Sequence, residues 1–92
     1  MTTLSSTVHV PEEVLFREVG GEAVILHQET GKYYGLDEVG ARMWLLLAEH
    51  GQLSPVYQTL LDEYEVTPEQ LWHDLVALVD DLAAHDLLRV DA

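Results

Sequence analysis

The chain has 92 residues, with 17 Asp plus Glu against 4 Lys plus Arg and a formal net charge of -13. This length allows one domain, and an apolar fraction of 48% is too high for a disordered chain. The absence of Cys excludes disulfides, thiolate metal sites and Cys nucleophiles and is typical of a cytoplasmic protein. Nucleic acid and anionic membranes are disfavoured as partners, because both are bound through Lys and Arg, of which the chain has 4.

The first residues of the chain predict no ordered structure and no targeting signal. Residues 1–11 are rich in Ser and Thr and close with Pro11. They have neither the basic nor the apolar region of a secretory signal, and no run in the chain approaches the ~20 apolar residues of a membrane span. We therefore expect a flexible lead-in over residues 1–12 and one domain over residues 13–92, located in the cytoplasm.

Residues 14–36 predict a three-stranded antiparallel meander. The β-prone run 14–19 is followed by Gly20 and Gly21, which signal a tight turn. A second run, 22–28, and a third, 32–36, are separated by a short loop in which Gly31 supplies a positive φ.

The remaining sequence predicts three helices. The first begins at the N-cap Asp37 and stops at Gly51; Ser54 is predicted to cap the second and Thr67 the third, which runs to about His85. A short apolar tail then folds back on the core. The predicted fold is α+β, a winged helix-turn-helix-like arrangement with a three-stranded antiparallel sheet packed on three helices.

No pattern of catalytic residues stands out. The five His are scattered without metal-ligand spacing, and the carboxylates lie at helix starts and on polar faces. Neither a phosphate-binding glycine loop nor a nucleophile motif occurs. A DNA-reading third helix would need Lys or Arg, yet residues 70–84 contain neither and carry three Asp. We therefore predict a protein that is not an enzyme and has no metal or cofactor.

The last predicted strand, residues 32–36, lies at an edge of the meander. In one interpretation Tyr34 and Leu36 point into the core and Tyr33 is simply exposed. In the other, the unpaired edge accepts an extended peptide as a fourth strand, whose alternate side chains enter a groove beside the third helix. Gly35 would allow another backbone to approach closely. Composition alone leaves both interpretations open.

Residues 26–44 resemble the signature of PqqD-like proteins, the peptide-recognition elements of ribosomal-peptide biosynthesis; they read LHQETGKYYGLDEVGARMW. The resemblance continues through Gly51, residues 60–66 and residues 71–88, and so covers about residues 13–90. The sequence of residues 30–36 is most similar to that of the recognition proteins of lasso-peptide clusters. Proteins of the quinone-cofactor pathway usually have Asn in place of Asp37 and a Pro-Glu-Gly stretch that is absent here.

The resemblance implies that the chain binds the leader segment of a precursor peptide, antiparallel to residues 32–36 and against the third helix. It implies a strand ladder along residues 32–35, a groove wall of leucines, and Asp74 facing a basic or hydrogen-bonding leader residue. The implied partners are a cysteine leader peptidase and a cyclase, and we expect a monomeric adaptor. The implied peptide-binding residues are Lys32, Tyr33, Tyr34, Gly35, Leu36, Leu71, Asp74, Leu75 and Leu78.

Other functions stay open at this point. The chain could serve another modified-peptide or cofactor pathway as a PqqD-type chaperone with a radical-SAM partner. It could also be a scaffold subunit that docks a folded enzyme and binds no extended peptide. Calorimetry separates the scaffold from the leader binder, because only the latter gives heat with leader peptide alone. An acidic winged-helix transcription factor would require specific DNA binding at physiological salt, which we do not expect.

Overall fold

A three-stranded antiparallel sheet packs its inner face against helices in the computed structural model, which describes residues 2–91. This arrangement confirms the predicted α+β class, while the winged helix-turn-helix likeness stays a prediction. The strands are β1 (Thr7–His9), β2 (Val14–Val19), β3 (Glu22–His27), β4 (Tyr33–Leu36) and β5 (Arg89–Asp91), and the helices are α1 (Glu38–His50), α2 (Leu53–Glu63) and α3 (Pro68–Ala84).

The strand order β2-β3-β4 confirms the predicted meander. Gly20 and Gly21 have φ values of 60° and 86°, so the two-residue connection adopts the positive angles that a tight hairpin turn requires. Along β3, buried and exposed residues alternate strictly, as expected for a strand with one face on the core. The meander therefore has an inner face toward the helices and an outer face toward solvent.

The core lies between the inner sheet face and the helices. Ile25 of β3, Leu47 of α1 and Leu75 of α3 are each 0% exposed. Phe16 stacks on Trp44 with ring centroids 6.4 Å apart, which joins the first strand of the meander to α1. The apolar tail folds back as predicted, since Leu87 and Leu88 are buried.

Strands near the two ends of the chain form a second, two-stranded sheet, which was not predicted from the sequence. β1 pairs antiparallel with β5, with Val8 opposite Val90. Ser6 and Val8 are buried, at 0% and 3% exposure. The expectation of a flexible lead-in over residues 1–12 is therefore wrong for this stretch, because main-chain pairing with the distant C-terminal strand orders it.

Side-chain caps start two of the helices as predicted. Asp37 accepts a hydrogen bond from Gly40 N at 2.8 Å, and Thr67 accepts one from Gln70 N at 3.2 Å. Gly51, with φ of 67°, ends α1.

The predicted cap of α2 is wrong. The helix begins at Leu53 after Gln52, so Ser54 lies inside the first turn. Leu53 N donates to Ser6 O at 3.2 Å and Ser54 N to Leu4 O at 3.1 Å. Carbonyl groups of the N-terminal segment thus satisfy the first-turn N–H groups that a capping side chain would otherwise bind.

An ion pair joins α1 to the end of α2 and predicts an acid-dependent stability. Arg42 Nε donates to Glu63 Oε1 at 2.9 Å, and Arg42 Nη2 donates to Glu63 Oε2. This bonding holds the pKa of Glu63 below its usual value of 4.5. The stabilisation is therefore present above that value and is lost as the pH falls through the lower pKa of the folded state. Thermal unfolding of the wild type and Glu63→Gln should differ at pH 7 and converge at acidic pH; a pH-independent difference would contradict this.

Candidate peptide-binding groove

The outer edge of β4 is unpaired within residues 2–91. The sheet order places β4 at one end of the meander and β2 at the other. The two terminal strands pair with each other in their own sheet and therefore leave β4 uncovered. An exposed strand edge offers main-chain donors and acceptors to another chain.

The register identifies which main-chain groups of β4 point outward. His27 N donates to Lys32 O at 2.9 Å, and Ile25 lies opposite Tyr34 and Ala23 opposite Leu36. Hydrogen-bonded and non-hydrogen-bonded pairs alternate along an antiparallel ladder. Tyr34 and Leu36 therefore bond to β3, while the N–H and C=O groups of Tyr33 and Gly35 point away from it. These four groups form the free edge.

One face of α3 lies beside this edge. Its residues recur at intervals of three or four, so they share one side of the helix. Tyr34 reaches across from β4, its hydroxyl donating to Asp81 Oδ2. The ring also makes an edge-on contact with His85 at a centroid distance of 5.6 Å. The residues of this helix face are Asp74, Leu78, Asp81 and His85.

The free edge of β4 and this face of α3 border a groove, and the part of the groove away from Tyr34 is open. A cavity of about 370 Å³ lies between the first turn of α1 and the middle of α3. Its apolar lining includes Val39, Met43 and Leu78, and its carboxylates are Asp37 and Asp74. Tyr34 contacts Asp81 and His85 at the other end of this helix face, so the open space for an entering side chain lies at the Leu78 end.

Both carboxylates at this cavity are held by hydrogen bonds within the chain. Asp74 Oδ1 accepts from Gln70 Nε2 at 2.9 Å. Asp37 Oδ1 is occupied by the N-cap bond to Gly40. Each carboxylate therefore keeps its second oxygen for another donor.

The hydroxyl of Tyr34 is expected to stabilise the folded chain. Its hydrogen bond to Asp81, followed by burial, raises the Tyr34 pKa above 10.0. Tyr34→Phe should lower the free energy of unfolding at pH 7 by about 1 kcal/mol, the usual net value of one hydrogen bond. The difference should persist up to pH 10 and disappear as the pH rises through the higher pKa of the folded state. Urea titrations at neutral and alkaline pH measure it, and an unchanged midpoint at pH 7 would contradict it.

The structure separates the implied peptide-binding residues into exposed and buried groups. Tyr33, at 75% exposure, Lys32, Gly35 and Asp74 are exposed, and Tyr34 and Leu78 are half-buried. The buried group comprises Leu36, Leu71 and Leu75, at 5%, 4% and 0% exposure. These three support the groove from the core and present no surface in this structure.

Four further residues lie at the groove and were not predicted from the sequence: Asp81, His85, Met43 and Val39. The first two share a helix face with Asp74 and Leu78, so helical spacing was a usable signal for them. Met43 and Val39 come to the groove because the tertiary fold places α1 across the cavity from α3, for which the sequence has no local signal.

Two negative findings apply to the part of the chain that the structure describes. Residues 2–91 hold no cluster of three or more His, Asp or Glu arranged to bind a metal ion. None of the helices within that range combines the length and apolarity needed to cross a bilayer.

Most of the chain matches a known protein family. The family described as coenzyme PQQ synthesis protein D (PqqD) matches residues 22–88, which include the sheet edge and α3. No curated protein sequence is significantly similar to the chain.

Two solved structures are similar to this one. One is a complex of TbiB1 with the TbiA(beta) leader peptide. Its matched chain is 34% identical in sequence to this chain, with a TM-score of 0.81, and the match covers 87% of this chain and 93% of that one. A lasso peptide synthetase B1 complexed with the leader peptide is 24% identical, with a TM-score of 0.81 over 90% and 98%, and shows a shared fold. On the family match and the TbiB1 similarity together, the chain belongs to the PqqD family.

Proposed function

We propose that the chain binds the leader segment of a ribosomally made precursor peptide by strand addition at β4. The observation that carries the proposal is the free edge of Tyr33 and Gly35 beside an open groove on α3. An antiparallel guest strand would use all four outward main-chain groups, each contributing ~0.5–1.5 kcal/mol net of water exchange. The similarity to the TbiB1 leader complex supports the choice of a leader peptide as the guest.

Side chains of the guest add to this main-chain pairing. Guest residues opposite Tyr34 and Leu36 would face inward, toward α3. The residue opposite Leu36 comes first in an antiparallel guest and lies nearest the cavity at Leu78. Full burial of an apolar side chain there contributes roughly 1.5–3 kcal/mol. The guest therefore needs one apolar anchor in this position.

The net charge of the chain affects the rate at which a leader peptide associates with it. With a net charge of -13, the protein attracts any leader that carries Lys or Arg and accelerates its association. Salt screens this long-range attraction, so association should slow as ionic strength rises.

The chain then acts as a non-catalytic adaptor in the cytoplasm, where precursors are synthesised. It holds the leader for a cysteine leader peptidase and a cyclase of lasso-peptide biosynthesis. The absence of a catalytic motif in the sequence and the similarity to leader-bound proteins support this role. Another modified-peptide pathway would use the same groove with a different enzyme partner.

The test is an NMR titration of the labelled full chain with the TbiA(beta) leader peptide. We expect saturable amide shifts in β4 and α3, and none with a scrambled peptide of the same composition. The titration detects dissociation constants as weak as about 1 mM, which correspond to a binding free energy of roughly -4 kcal/mol. No shift at β4 up to that concentration would contradict the proposed function.

A further inference from the structure

We propose that Gly35 forms a notch on the outer face of the sheet that receives an aromatic side chain of the bound peptide. This inference rests on the proposed function and adds a second specificity site to it. A cavity of about 370 Å³ lies on the outer face at this point, opposite the groove side of β4. Its lining includes Arg17, Val24 and Gly35, together with the two carboxylates Glu22 and Asp37.

The fold of the chain itself does not require glycine at this position. A Cβ atom added to Gly35 would meet no atom within 4 Å. Its φ also lies outside the positive range that Gly20, Gly31 and Gly51 occupy. Glycine weakens a strand because it loses more entropy on folding and packs no side chain. The open space beside β4 therefore matters to a partner rather than to the free protein.

The register places one guest side chain over this notch. The N–H and C=O groups of Gly35 point outward, so an antiparallel guest residue opposite it forms a hydrogen-bonded pair about 5.5 Å away between Cα atoms. Side chains of directly opposite residues lie on the same face of a sheet. The side chain of that guest residue is thus on the outer face, above the uncovered backbone of Gly35.

The surroundings of the notch favour an aromatic side chain. Val24, which is 42% exposed, lies directly opposite Gly35 and supplies an apolar wall. Arg17 lies opposite Val24 on the next strand, so its Cα atom is about two strand spacings, or roughly 10 Å, from that of Gly35. The long side chain of Arg17 can span much of this distance. Within the described residues no carboxylate forms an ion pair with Arg17. A flat ring over the glycine fills the gap and offers its face to this cation.

The two sites together define a guest pattern. The residue opposite Leu36 enters the inner groove at Leu78, and the next residue, opposite Gly35, lies in the outer notch. Successive strand residues point to opposite faces, so both can be anchored at once. The structure therefore favours guests with an apolar anchor followed immediately by an aromatic residue.

Gly35→Ala and Gly35→Val test the notch with the TbiA(beta) leader peptide as the probe. Both variants should fold, with thermal midpoints at or above the wild type, because the new side chain meets free space and improves strand propensity. Calorimetry should show weaker binding, by about threefold for Ala and tenfold or more for Val, the latter equivalent to about 1.4 kcal/mol. Leu15→Ala is the matched control, since Leu15 is on the same outer face in β2 but does not line the notch.

A second readout separates the notch from main-chain pairing. Binding to the wild type should shift the amide signals of Val24 and Arg17, whereas strand addition alone affects β4 and α3. Wild-type affinity in Gly35→Val, or unperturbed signals at Val24 and Arg17, would overturn the notch while leaving the proposed function intact. Failure of the wild type to bind the peptide would contradict the proposed function and the notch together.

Discussion

Leu78→Gln is expected to weaken binding of the TbiA(beta) leader peptide about tenfold or more, because it removes the apolar surface on which a guest anchor worth roughly 1.5–3 kcal/mol would pack. Leu78 is half-buried, lines the open cavity with Met43 and Val39, and lies beside the free edge of β4. The substitution keeps the net charge and the size of the side chain, so electrostatic attraction to the peptide is unchanged. Calorimetry of the folded variant measures the effect.

Ala77→Gln is the control for this substitution. Ala77 is exposed and adjacent in sequence, but it lines a different cavity, which Trp72 of α3 and Val90 of β5 also line. We expect its affinity for the peptide to equal that of the wild type. Equal affinities for Leu78→Gln and Ala77→Gln would place the guest away from this groove.

Leu75→Ala is expected to lower the free energy of unfolding by about 2–5 kcal/mol, the usual cost of a cavity in a packed core. Leu75 is 0% exposed and belongs to the same core as Ile25 and Leu47. The resemblance implied that Leu75 lies on the groove wall with Leu71, but both side chains are buried. Urea unfolding gives the change in stability. A midpoint equal to that of the wild type would contradict the core assignment.

Peptide affinity distinguishes this core position from a surface position. Once the unfolded fraction is accounted for, Leu75→Ala should bind the leader peptide nearly as well as the wild type. Leu78→Gln should show the opposite result, with a large loss of affinity and a smaller loss of stability. The two substitutions therefore separate the groove from the core beneath it.

Local signals accounted for the elements that local chemistry stabilises. Gly20 and Gly21 fixed the first hairpin through their positive φ angles, and the side chains of Asp37 and Thr67 form the predicted caps. These features depend on residues within four positions of each other. They were predictable because the responsible interaction lies inside a short window of sequence.

Features that depend on distant pairing were not predictable in this way. β1 and β5 are three residues each and come from opposite ends of the chain, so neither has a periodic pattern long enough to identify it. The start of α2 depends on carbonyls of Ser6 and Leu4, which lie far away in sequence. Local propensity contains no information about such partners.

The groove was predictable only in part. The edge strand and the helix beside it followed from the order of elements and the resemblance. Which leucines of α3 reach the surface depended on packing: the core encloses Leu71 and Leu75 and leaves Leu78 half-buried. A helix pattern alone assigns all three to one apolar stripe.

Hydrogen exchange of individual β4 amides tests strand addition most directly. In the free chain, Tyr34 and Leu36 should be protected by β3, while Tyr33 and Gly35 exchange rapidly. Phe16 and Glu18 of β2 are matched internal controls. Gln28 N donates to Glu13 O at 2.8 Å, and the alternation of hydrogen-bonded pairs that follows from this bond turns the amides of Phe16 and Glu18 away from β3.

With saturating TbiA(beta) leader peptide, exchange of the Tyr33 and Gly35 amides should slow by at least about tenfold, while Phe16 and Glu18 keep their free rates. Bound peptide with unchanged exchange at Tyr33 and Gly35 would contradict strand addition at β4.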